Sequence, residues 1–541
     1  MGTTVLEQSI AEAGKPKSLA KLCTSLWEGK VTAAVDGSEH ICRLRCDANQ
    51  LVDICQWLME DLGFALATLI VEEKPDAGWS LLYVFSQDAA PSWAYVELEL
   101  EPGTKSVPSI SGLLHGPSAD WHEREAEDLF GLTFEGHPRL GEFVLHEDWP
   151  EGVNPMRRSF DARRLKGREL DVAWEPPTVV AAPGAFAMPI GPVFSDFAES
   201  AHFLLETVGE DVIRTIPRFF YKYRGVEKIA EGKSVNQVLL LAERFSGTAA
   251  FAHALAFCQA IEAICQIEVP PRALALRTVF SELERLRHHV AVITGVCNST
   301  ALAVATAQSA LIEEALLRLS CDATRHRYLF GLLKPGGVSL DLSDETRTSL
   351  AESVGAIARR LHELHQMLRY SSSFLDRLEE VGIIKLEQAL AYGLVGPVAR
   401  ASGVARDIRK LFPYAAYANA QFVVPVEPEG DGYARLRVFF QEAEESAALV
   451  RHFLFSMPEG ASCADHVLLR AGAALGAVEA PAGAALHWLR LSDDGAISRY
   501  RITPPSFTNW HGFHLAAENF AFQDFPIILA SFGLSNAECD R

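Results

Sequence analysis

Two histidines three residues apart are the first side chains in this sequence whose type and spacing could do chemistry. They are His362 and His365 in the segment HELH, and on a helix this spacing places both imidazoles on one face. Zinc is bound by imidazoles in such an arrangement, but it needs at least one further protein ligand. No third ligand can be identified in the sequence, so a solvated helix face is favoured over a metal site.

The other reactive side chains also have structural interpretations. The ten cysteines form no CxxC pair, which favours buried, reduced thiols in a cytoplasmic protein. Cys42 and Cys46 are interpreted as a core pair on a strand, and His288 and His289 as helix-surface or interhelix residues. The stretch 331–337 has glycines but lacks the Walker spacing, so it predicts a turn. Residue types alone therefore indicate no catalytic constellation.

Length and charge limit the class of the protein. At 541 residues the chain is expected to hold two or more domains. Its 70 Asp and Glu against 49 Lys and Arg give a formal charge of -21, which argues against nucleic acid or an anionic lipid surface as the main partner. Charged or polar residues interrupt the long apolar runs, and the N-terminus lacks an apolar signal core. Neither a membrane-spanning helix nor a secretory signal is therefore expected.

The elements that must position these side chains begin with an α+β pattern over residues 20–100. Period-two alternation predicts strands in the segments EHICRLRC, WSLLYVFSQ and SWAYVELELE. A helix is predicted to begin near Ser118, as a candidate N-cap, and to end at the pair Phe130-Gly131. A proline-containing stretch with little periodicity predicts a linker over 166–185.

Helical patterns dominate from residue 198 to residue 370. Pro270 and Pro271 are predicted to separate two long helices, and a further helix is predicted to begin at the segment SDETR. After residue 430 strand patterns return, with ARLRVFFQ predicted as a strand and LSDDGAISRYRI as a hairpin that turns at DDG. The predicted fold class is α+β, with a small α+β domain over 20–165, the linker over 166–185, and a mostly helical domain with peripheral strands over 186–541.

Several segments carry a resemblance to known families. The segment ADWHEREAEDLFGLTFEGHPRL resembles the signature of the small hydrophilic subunit of complex I, the NADH:quinone oxidoreductase. The second part resembles the family that contains the large subunits of nickel-iron hydrogenases and the quinone-site subunit of complex I. This resemblance lies in IGP, FYKYRGVEK, GLVGPVARASGVARDIRK, and VEAPAG followed by RYRITPPSFTNWHG. Fusion of the two parts is typical of energy-converting hydrogenases of the formate hydrogenlyase and hydrogenase-4 type, and of some complex I enzymes.

The resemblance implies four thiolate ligands for nickel and iron, supplied by two CxxC pairs. The first pair falls in ERFSGTAAFAH, where Ser246 and Ala249 occupy the cysteine positions. The second pair falls in SFGLSNAE, where Ser535 and Glu538 occupy them and Cys539 is one residue out of register. A nickel site, or any other metal site, is therefore not expected in this chain.

The resemblance also implies other site groups, which this sequence replaces. Ala482 stands where the hydrogenase motif A-P-R-G has its arginine, and Phe194 and Gly247 stand where the quinone-site family member has a quinone-binding histidine and tyrosine. Phenylalanine and glycine side chains cannot donate a hydrogen bond to a quinone carbonyl. No directly bound cofactor is therefore expected, quinone remains open as a ligand held by apolar packing, and a 4Fe-4S cluster is assigned to a partner subunit.

Polar residues remain near the positions where the two CxxC blocks would face each other. Two interpretations stay open: a buried network of hydrogen bonds and ion pairs that fills a vacated cavity, or a proton relay whose members have shifted pKa values. The candidates are Glu227, Glu243, Arg244, His253, Glu479 and Glu538, together with Ser246 and Ser535.

For function, the resemblance implies a peripheral-arm subunit of a membrane-bound complex that couples electron transfer to ion translocation. The alternative hypothesis is a scaffold or coupling subunit with no redox chemistry of its own, and an active hydrogenase is not expected. The implied partners are a small subunit with a 4Fe-4S cluster and antiporter-like and other membrane-arm subunits, and no nucleic acid is expected. The implied location is the cytoplasmic face of the inner membrane.

The last segment of the sequence, SFGLSNAECDR, is predicted to be buried against the helix that carries Ser246, with Arg541 paired. Hydrogenases of the resembling family are commonly clipped a few residues after the last ligand cysteine. This sequence stops at Asp540-Arg541, so no maturation protease is expected. Cys539 is interpreted as a bystander.

Overall fold

A computed structural model describes residues 10–37, 40–76, 78–165, 183–193 and 199–541. The chain divides into two compact units: unit 1 holds Met1–Pro177 with Leu390–Leu394, and unit 2 holds Thr178–Ala389 with Val395–Arg541. Both units combine helices and sheets, which confirms the α+β class. Most of the predicted linker, residues 166–182, lies outside the described residues.

Unit 1 is built on a five-stranded sheet with strand order β1-β2-β5-β4-β3. β2 and β5 pair in parallel, and the other neighbours pair antiparallel. The three strands predicted from period-two alternation are confirmed as β2, β4 and β5. The elements of unit 1 are α1 Pro16–Leu26, β1 Thr32–Val35, β2 Ile41–Arg45, α2 Ala48–Gln56, β3 Ala65–Glu73, β4 Trp79–Gln87, β5 Ser92–Leu100, β6 Ser106–Pro108, α3 Pro117–Phe130 and β7 Thr133–Glu135.

The helix α3 contains the acidic segment DWHEREAED. It starts at Pro117, whose ring presets φ for the first helical position, and Gly116 precedes it as the cap. Ser118 is therefore not the N-cap, and its hydroxyl donates to the carbonyl of His115 at 2.9 Å. The end at Gly131 is as predicted, because φ of 75° places this glycine in the left-handed conformation.

We expect the stability of unit 1 to depend on pH because of Glu123, a buried residue on α3. Burial raises its pKa from 4.5 to about 7, although Ser109 and the N–H of Ile110 donate to the carboxylate. The protonated carboxyl group is therefore the form that the folded protein favours. Its contribution to the free energy of unfolding is full below the unfolded pKa of about 4.5 and is lost as the pH rises through about 7, at a cost on the order of 3 kcal/mol.

Glu123→Gln removes this charge and keeps the shape of the side chain. Its amide oxygen can accept from Ile110 and its amide nitrogen can donate to the Ser109 hydroxyl. We therefore expect the variant to match the wild type near pH 5 and to be more stable near pH 8, as measured by thermal unfolding at both pH values. Equal melting temperatures at pH 8 would contradict the assignment.

Unit 2 is mostly helical, with an antiparallel four-stranded sheet of order β16-β10-β9-β8 and an antiparallel three-stranded sheet of order β13-β14-β15. The described strands after residue 183 are β8 Ala185–Ile190, β9 His202–Val208, β10 Asp211–Arg218, β11 Leu333–Lys334, β12 Gly337–Val338, β13 Gly472–Ala480, β14 Gly483–Leu491, β15 Ile497–Thr503 and β16 Glu518–Ala521. The described helices are α4 Val226–Ala230, α5 Val235–Arg244, α6 Ala250–Cys265, α7 Pro271–Ser299, α8 Ala303–Thr324, α9 Asp344–Arg369, α10 Ser372–Leu375, α11 Leu386–Ala391, α12 Gly396–Arg400, α13 Ile408–Leu411, α14 Gly432–Phe455, α15 Pro505–His511, α16 Phe513–Ala516, α17 Phe525–Phe532 and α18 Asn536–Cys539.

Most helix and turn predictions for unit 2 are confirmed. α6 and α7 are separated at Pro270 and Pro271, α9 begins where predicted, and β14 and β15 form the predicted hairpin. The glycine-rich stretch 331–337 lies at the turn between β11 and β12. These signals are local, because proline ends helices and a short turn sequence fixes a hairpin.

The prediction of a strand for the segment ARLRVFFQ is wrong, because this segment lies in the helix α14. Asp431 caps this helix by accepting the N–H of Ala434 at 2.7 Å. Its buried apolar residues follow a spacing of three and four, which is the period of a helix face against the core. They are Leu436, Phe439, Phe440, Ala443 and Ala447, and they pack with α7 in the main core cluster of unit 2.

The cysteines and the helix lengths bear on two further predictions. All ten cysteines are free thiols; eight are buried as predicted, while Cys321 and Cys463 are half-buried. Among the helices in the described ranges, none is both long enough and apolar enough to span a membrane.

Candidate functional site

The last segment of the chain meets the loop 245–249 between α5 and α6. The carboxylate of Glu538 accepts hydrogen bonds from the hydroxyls of Ser246 at 3.1 Å and Thr248 at 3.2 Å, and from the N–H of Ser506 at 3.3 Å. It is only 1% exposed. The two sequence blocks therefore meet through oxygen-based hydrogen bonds, and Ser246 lies in a loop rather than on the helix that was predicted to carry it.

The helices on either side of this loop are each fixed at their N-terminus. α5 begins with a capping box, in which Gln237 accepts the N–H of Ser234 at 3.1 Å. At the start of α6, the carboxylate of Glu284 accepts the N–H groups of Phe251 at 2.7 Å and Ala252 at 2.9 Å. A negative group at a helix N-terminus is favourable, so Glu284 anchors α6 at the residue where the loop ends.

Glu538 is held as a carboxylate although it is buried. Burial raises its pKa, but the hydrogen bond and charge of His253, with the donors at Ser506 and Ser246, outweigh burial and leave the pKa below its ordinary value. Nε2 of His253 lies 3.4 Å from Oε1 of the carboxylate. A carboxylate beside an imidazole is a pair that can exchange a proton.

His253 continues this contact into the interior of unit 2. Its Nδ1 lies 2.9 Å from Nε2 of His487 on β14, and Nδ1 of His487 lies 2.6 Å from the hydroxyl of Tyr500 on β15. All three side chains are fully buried. Burial, with the charges of His253 and Arg541, lowers the pKa of His487 well below its ordinary value.

Ser535 faces a different carboxylate. Its hydroxyl donates to Glu199 at 2.9 Å, and the N–H groups of Asn536 and Ala537 donate to the same side chain, the latter at 3.0 Å. Glu199 thereby satisfies the free N–H groups at the start of α18. It anchors the final helix, and Ser535 does not share the carboxylate of Glu538.

Glu227 holds the end of the chain through three arginines. Its carboxylate lies 3.5 Å from Arg499, 3.5 Å from Arg501 and 3.3 Å from Arg541, and it accepts the N–H of Ile502 at 2.9 Å. Burial raises the pKa of Glu227, but the three guanidinium groups outweigh burial and lower it. The prediction that the last segment is buried and that Arg541 is paired is confirmed, since Arg541 is fully buried.

Glu479 belongs to a separate buried charge cluster. It accepts from Arg400 at 2.8 Å and from the N–H of Ile408 at 3.0 Å, and Arg400 also donates to Glu442 at 2.6 Å. His289 donates to Glu442 at 2.9 Å. Four carboxylates and three guanidinium groups make up this charge cluster: Glu282, Asp407, Glu442, Glu479, Arg285, Arg400 and Arg409.

Other candidates lie apart from Glu538. Glu243 accepts the N–H of Gly331, and Arg244 contacts Glu243 at 3.5 Å with about half of its side chain exposed. Ala249 is buried in the main core cluster, and the carbonyl of Ala482 accepts from Asn509 at 3.2 Å. These contacts satisfy the backbone and fill the core rather than converge on one site.

The replaced quinone positions give one further observation. A Cβ atom at Gly247 would meet open space, so packing does not require a glycine there. Phe194 lies outside the described residues. Among the described candidates, Ser246, His253 and Glu538 meet in one group, Glu243 contacts Arg244, and the others lie apart.

The HELH pair lies on α9 beside Glu444. Nδ1 of His362 is 3.1 Å and Nδ1 of His365 is 3.9 Å from this carboxylate. His362 is mostly exposed, whereas His365 stacks on Phe440 at 4.3 Å. Within the described parts of the chain, no group of three or more His, Cys, Asp or Glu side chains could hold a metal ion.

The pair His288 and His289 is buried at helix contacts, which confirms their interhelix interpretation and corrects the surface one.

Sequence reasoning missed His487, Tyr500 and Glu199. His487 carries a usable signal, because a histidine takes an inward position of β14 between the buried Ala485 and Leu489. A polar residue in a buried strand position needs a partner. Glu199 carries no such signal, because its partners are backbone N–H groups far along the chain.

Comparison with known families confirms the resemblance. Residues 44–166 match the family described as respiratory-chain NADH dehydrogenase, 30 Kd subunit. Residues 307–471 and 461–541 match respiratory-chain NADH dehydrogenase, 49 Kd subunit, and residues 224–293 match nickel-dependent hydrogenase.

Similar chains align with most of this sequence. Formate hydrogenlyase subunit 5 of Escherichia coli is 29% identical over 500 residues, covering 91% of this chain and 88% of its own. Hydrogenase-4 component G of Escherichia coli is 28% identical over 504 residues, covering 91% and 87%. The C/D protein of the NADH-quinone oxidoreductase of Acinetobacter baylyi is 28% identical over 493 residues, covering 82% of each chain.

Proposed function

Because the chain joins a respiratory NADH dehydrogenase 30 kDa-type domain to 49 kDa-type and nickel-dependent hydrogenase-type domains, we propose that it is a peripheral-arm subunit of a membrane-bound, complex-I-like oxidoreductase. In that complex it couples electron transfer to ion translocation. Similarity to subunits of formate hydrogenlyase, hydrogenase-4 and NADH-quinone oxidoreductase over most of the chain supports this role. The partners are a small subunit with a 4Fe-4S cluster and antiporter-like subunits of the membrane arm, at the cytoplasmic face.

We further propose that the nickel-iron site is lost. The side chains at the four ligand positions supply two hydroxyls, a methyl group and a carboxylate, whereas these metals require thiolates. Ser246 bonds Glu538 and Ser535 bonds Glu199, so the oxygen atoms already have protein partners. Burial raises the pKa of the Cys539 thiol well above its ordinary value, which disfavours a thiolate there.

Metal analysis of the purified complex tests this loss. We expect nickel far below one atom per complex, with iron accounted for by the clusters of the partner subunits. A formate hydrogenlyase preparation handled in parallel controls for metal lost during purification. Stoichiometric nickel in this complex would contradict the assignment of Ser246, Ala249, Ser535 and Glu538 to the ligand positions.

The observation that carries the coupling role is the buried carboxylate of Glu538, in contact with His253 at the place where the two sequence blocks meet. A proton-exchanging pair at this position suits redox chemistry that takes up or releases protons, with quinone as one acceptor held by apolar packing. A scaffold subunit without redox chemistry is the second candidate. The charge cluster around Arg400 favours it, because its carboxylates and guanidinium groups are paired with each other inside the protein.

Turnover of the intact complex separates the two candidates. If the pair takes part in catalysis, Glu538→Gln should lower quinone-dependent oxidation by about 100-fold, the scale of a lost general acid or base. Glu444→Gln, a carboxylate on the surface helix face, is the matched control and should keep wild-type turnover. Wild-type turnover in Glu538→Gln, with the complex assembled, would leave the scaffold role.

A further inference from the structure

We propose that the adjacent histidines His288 and His289 on α7 hold one shared proton, which makes the pair a buried cation. The pair lies between two groups that accept hydrogen bonds. Nε2 of His289 is 2.9 Å from the carboxylate of Glu442, and Nε2 of His288 is 3.2 Å from the carbonyl oxygen of Gly533. The two Nδ1 atoms face each other at 3.4 Å. This inference goes beyond the proposed function and does not depend on it.

The number of ring protons follows from these three contacts. Burial raises the pKa of Glu442, but Arg400 and His289 outweigh burial and lower it, so this carboxylate only accepts. A carbonyl oxygen also only accepts, and both Nε2 atoms must therefore carry a proton. Two neutral imidazoles have no further proton, so their Nδ1 atoms would meet as two acceptors. A third proton between the Nδ1 atoms gives every contact one donor and one acceptor, and the pair then carries a charge of +1.

Other tautomers of two neutral rings do not remove the conflict. If His288 carries its proton on Nδ1, its Nε2 faces the carbonyl of Gly533 as an acceptor. If His289 carries its proton on Nδ1, its Nε2 faces the carboxylate of Glu442 as an acceptor. Each assignment therefore leaves one buried acceptor against another, which costs the free energy of an unsatisfied polar group.

A metal ion between the Nδ1 atoms does not fit the same gap. Bonds from imidazole nitrogen to a metal such as zinc are about 2.0 Å long, so two of them in line need about 4 Å. The Nδ1 atoms are 3.4 Å apart, which suits a proton.

The neighbouring charge cluster needs a positive charge of this kind. Its four carboxylates and three guanidinium groups leave a net charge of -1, and its member Glu442 contacts the pair. A net charge in the interior is costly unless it is compensated. Glu479 is the competing site for a balancing proton, because burial and Asp407 raise its pKa. Its oxygens, however, accept from Arg400 and from the N–H of Ile408, so a proton there would face donors.

The surroundings act on the pair in both directions. The charged side chains that face it lie on α7, α12 and α14, and they are Arg285, Arg287, Arg400 and Glu442. Burial and the guanidinium groups lower the pKa of each imidazole, although Glu442 and the carbonyl of Gly533 oppose them. Those effects act on each ring by itself. The shared proton also completes the contact between the two rings and balances the charge cluster, and these two gains retain it.

The proton ties the charge cluster to the last segment of the chain. Gly533 lies in this segment, directly after α17 and before Glu538. A cationic pair holds the carbonyl of Gly533 at one end and the carboxylate of Glu442 at the other by charge-assisted hydrogen bonds. The proton stays at the pair and is not passed on, so no outlet is required. His288 and His289 are positioning residues in this role.

¹⁵N NMR of the histidine-labelled full-length chain counts the ring protons. The measurement is made at pH 7.5, about one unit above the ordinary pKa of histidine. We expect three of the four ring nitrogens of His288 and His289 to carry a proton. Two protonated nitrogens, one in each ring, would overturn the shared proton.

Glu442→Gln should remove the extra proton without breaking a contact. Arg400 donates to the carboxylate at 2.6 Å, so the amide oxygen stays on that side and the amide nitrogen faces His289. This nitrogen donates to Nε2 of His289, whose Nδ1–H donates to Nδ1 of His288, while Nε2–H of His288 still donates to Gly533. Neutral rings then satisfy all three contacts, and the number of protonated nitrogens should fall from three to two.

Glu444→Gln is the matched control, because Glu444 lies on the same helix beside the surface histidine His362. It should leave the count at His288 and His289 at three. Three protonated nitrogens in Glu442→Gln would contradict the hydrogen-bond count.

His288→Asn tests the link to the last segment. An asparagine amide can take the place of Nδ1 and donate to His289, but it is too short to reach Gly533. Hydrogen exchange of residues 534–541, read by mass spectrometry, should therefore be about tenfold faster than in the wild type, the scale of one lost hydrogen bond. Exchange should stay unchanged in Glu442→Gln, which keeps the Gly533 contact. Equal exchange in the two variants would overturn the positioning role. If Glu442→Gln does not fold, the count in the wild type and in His288→Asn, where His289 should carry one ring proton, decides the question.

Discussion

Replacing Arg400 by methionine should destabilise unit 2 by about 3–5 kcal/mol, the range for removal of one partner from a buried ion pair. The Arg400 guanidinium is fully buried and donates to Glu442 at 2.6 Å, to Glu479 at 2.8 Å and to the carbonyl of Arg406 at 2.9 Å. Without it, two carboxylates and a carbonyl lose a charged donor in a site that water does not reach. Urea unfolding followed by tryptophan fluorescence measures the loss as a lower midpoint.

A surface arginine provides the matched control. Arg318→Met removes a partner of Glu314 that is mostly exposed, so its cost should stay within about 0.5 kcal/mol. Adding Glu479→Gln to Arg400→Met should recover part of the lost stability, because one uncompensated charge is removed as well. Similar midpoints for the Arg400 and Arg318 variants would show that the charge cluster contributes little to stability.

The second large effect is expected at Glu227, whose carboxylate faces three arginines. Glu227→Leu leaves Arg499, Arg501 and Arg541 facing each other without their shared carboxylate, so we expect a loss of about 3–5 kcal/mol. The last segment should also exchange its backbone hydrogens faster, because Arg541 loses its anchor. Hydrogen exchange of residues 535–541, read by mass spectrometry, measures this loosening.

Acid should act on the same contact in the wild-type protein. The three guanidinium groups hold the pKa of Glu227 below its ordinary value, although burial opposes them. For an acid whose pKa is lowered by folding, the contribution to stability is full above the unfolded pKa of about 4.5 and is lost as the pH falls through the folded pKa.

Glu231→Leu is the control for Glu227→Leu, because Glu231 is partly exposed and 3.9 Å from Arg499. Equal loosening in both variants would contradict the role of Glu227.

Local sequence signals predicted much of the fold because their causes are local. Pro270 and Pro271 separate two helices whatever the tertiary surroundings, because proline cannot continue a helix. Gly131 ends α3 because it adopts a left-handed conformation. The segment ARLRVFFQ shows the limit of this reasoning. Its short apolar run suits either a strand or a helix, and the packing of α14 against α7 decided for the helix.

The candidate site was predictable only in part. Ser246, His253 and Glu538 were identified because they lie in or beside two recognisable sequence blocks, and the structure brings them together. Glu243 and Arg244 share the first block but point to Gly331 and Phe330 instead. Position next to a motif therefore indicates the neighbourhood of a side chain but not its partner.

Residue identity and order alone establish the two-part organisation, the class of protein that the chain resembles, and the absence of cysteine at the four ligand positions. The tertiary structure decided which charges pair, that Glu199 anchors the final helix, and that His487 and Tyr500 extend the contact of Glu538 inward. The links from Glu538 to His253 and from His253 to His487 join residues more than 230 positions apart. Hydrogen bonds act over about 3 Å in space, and only folding brings such distant residues within that range.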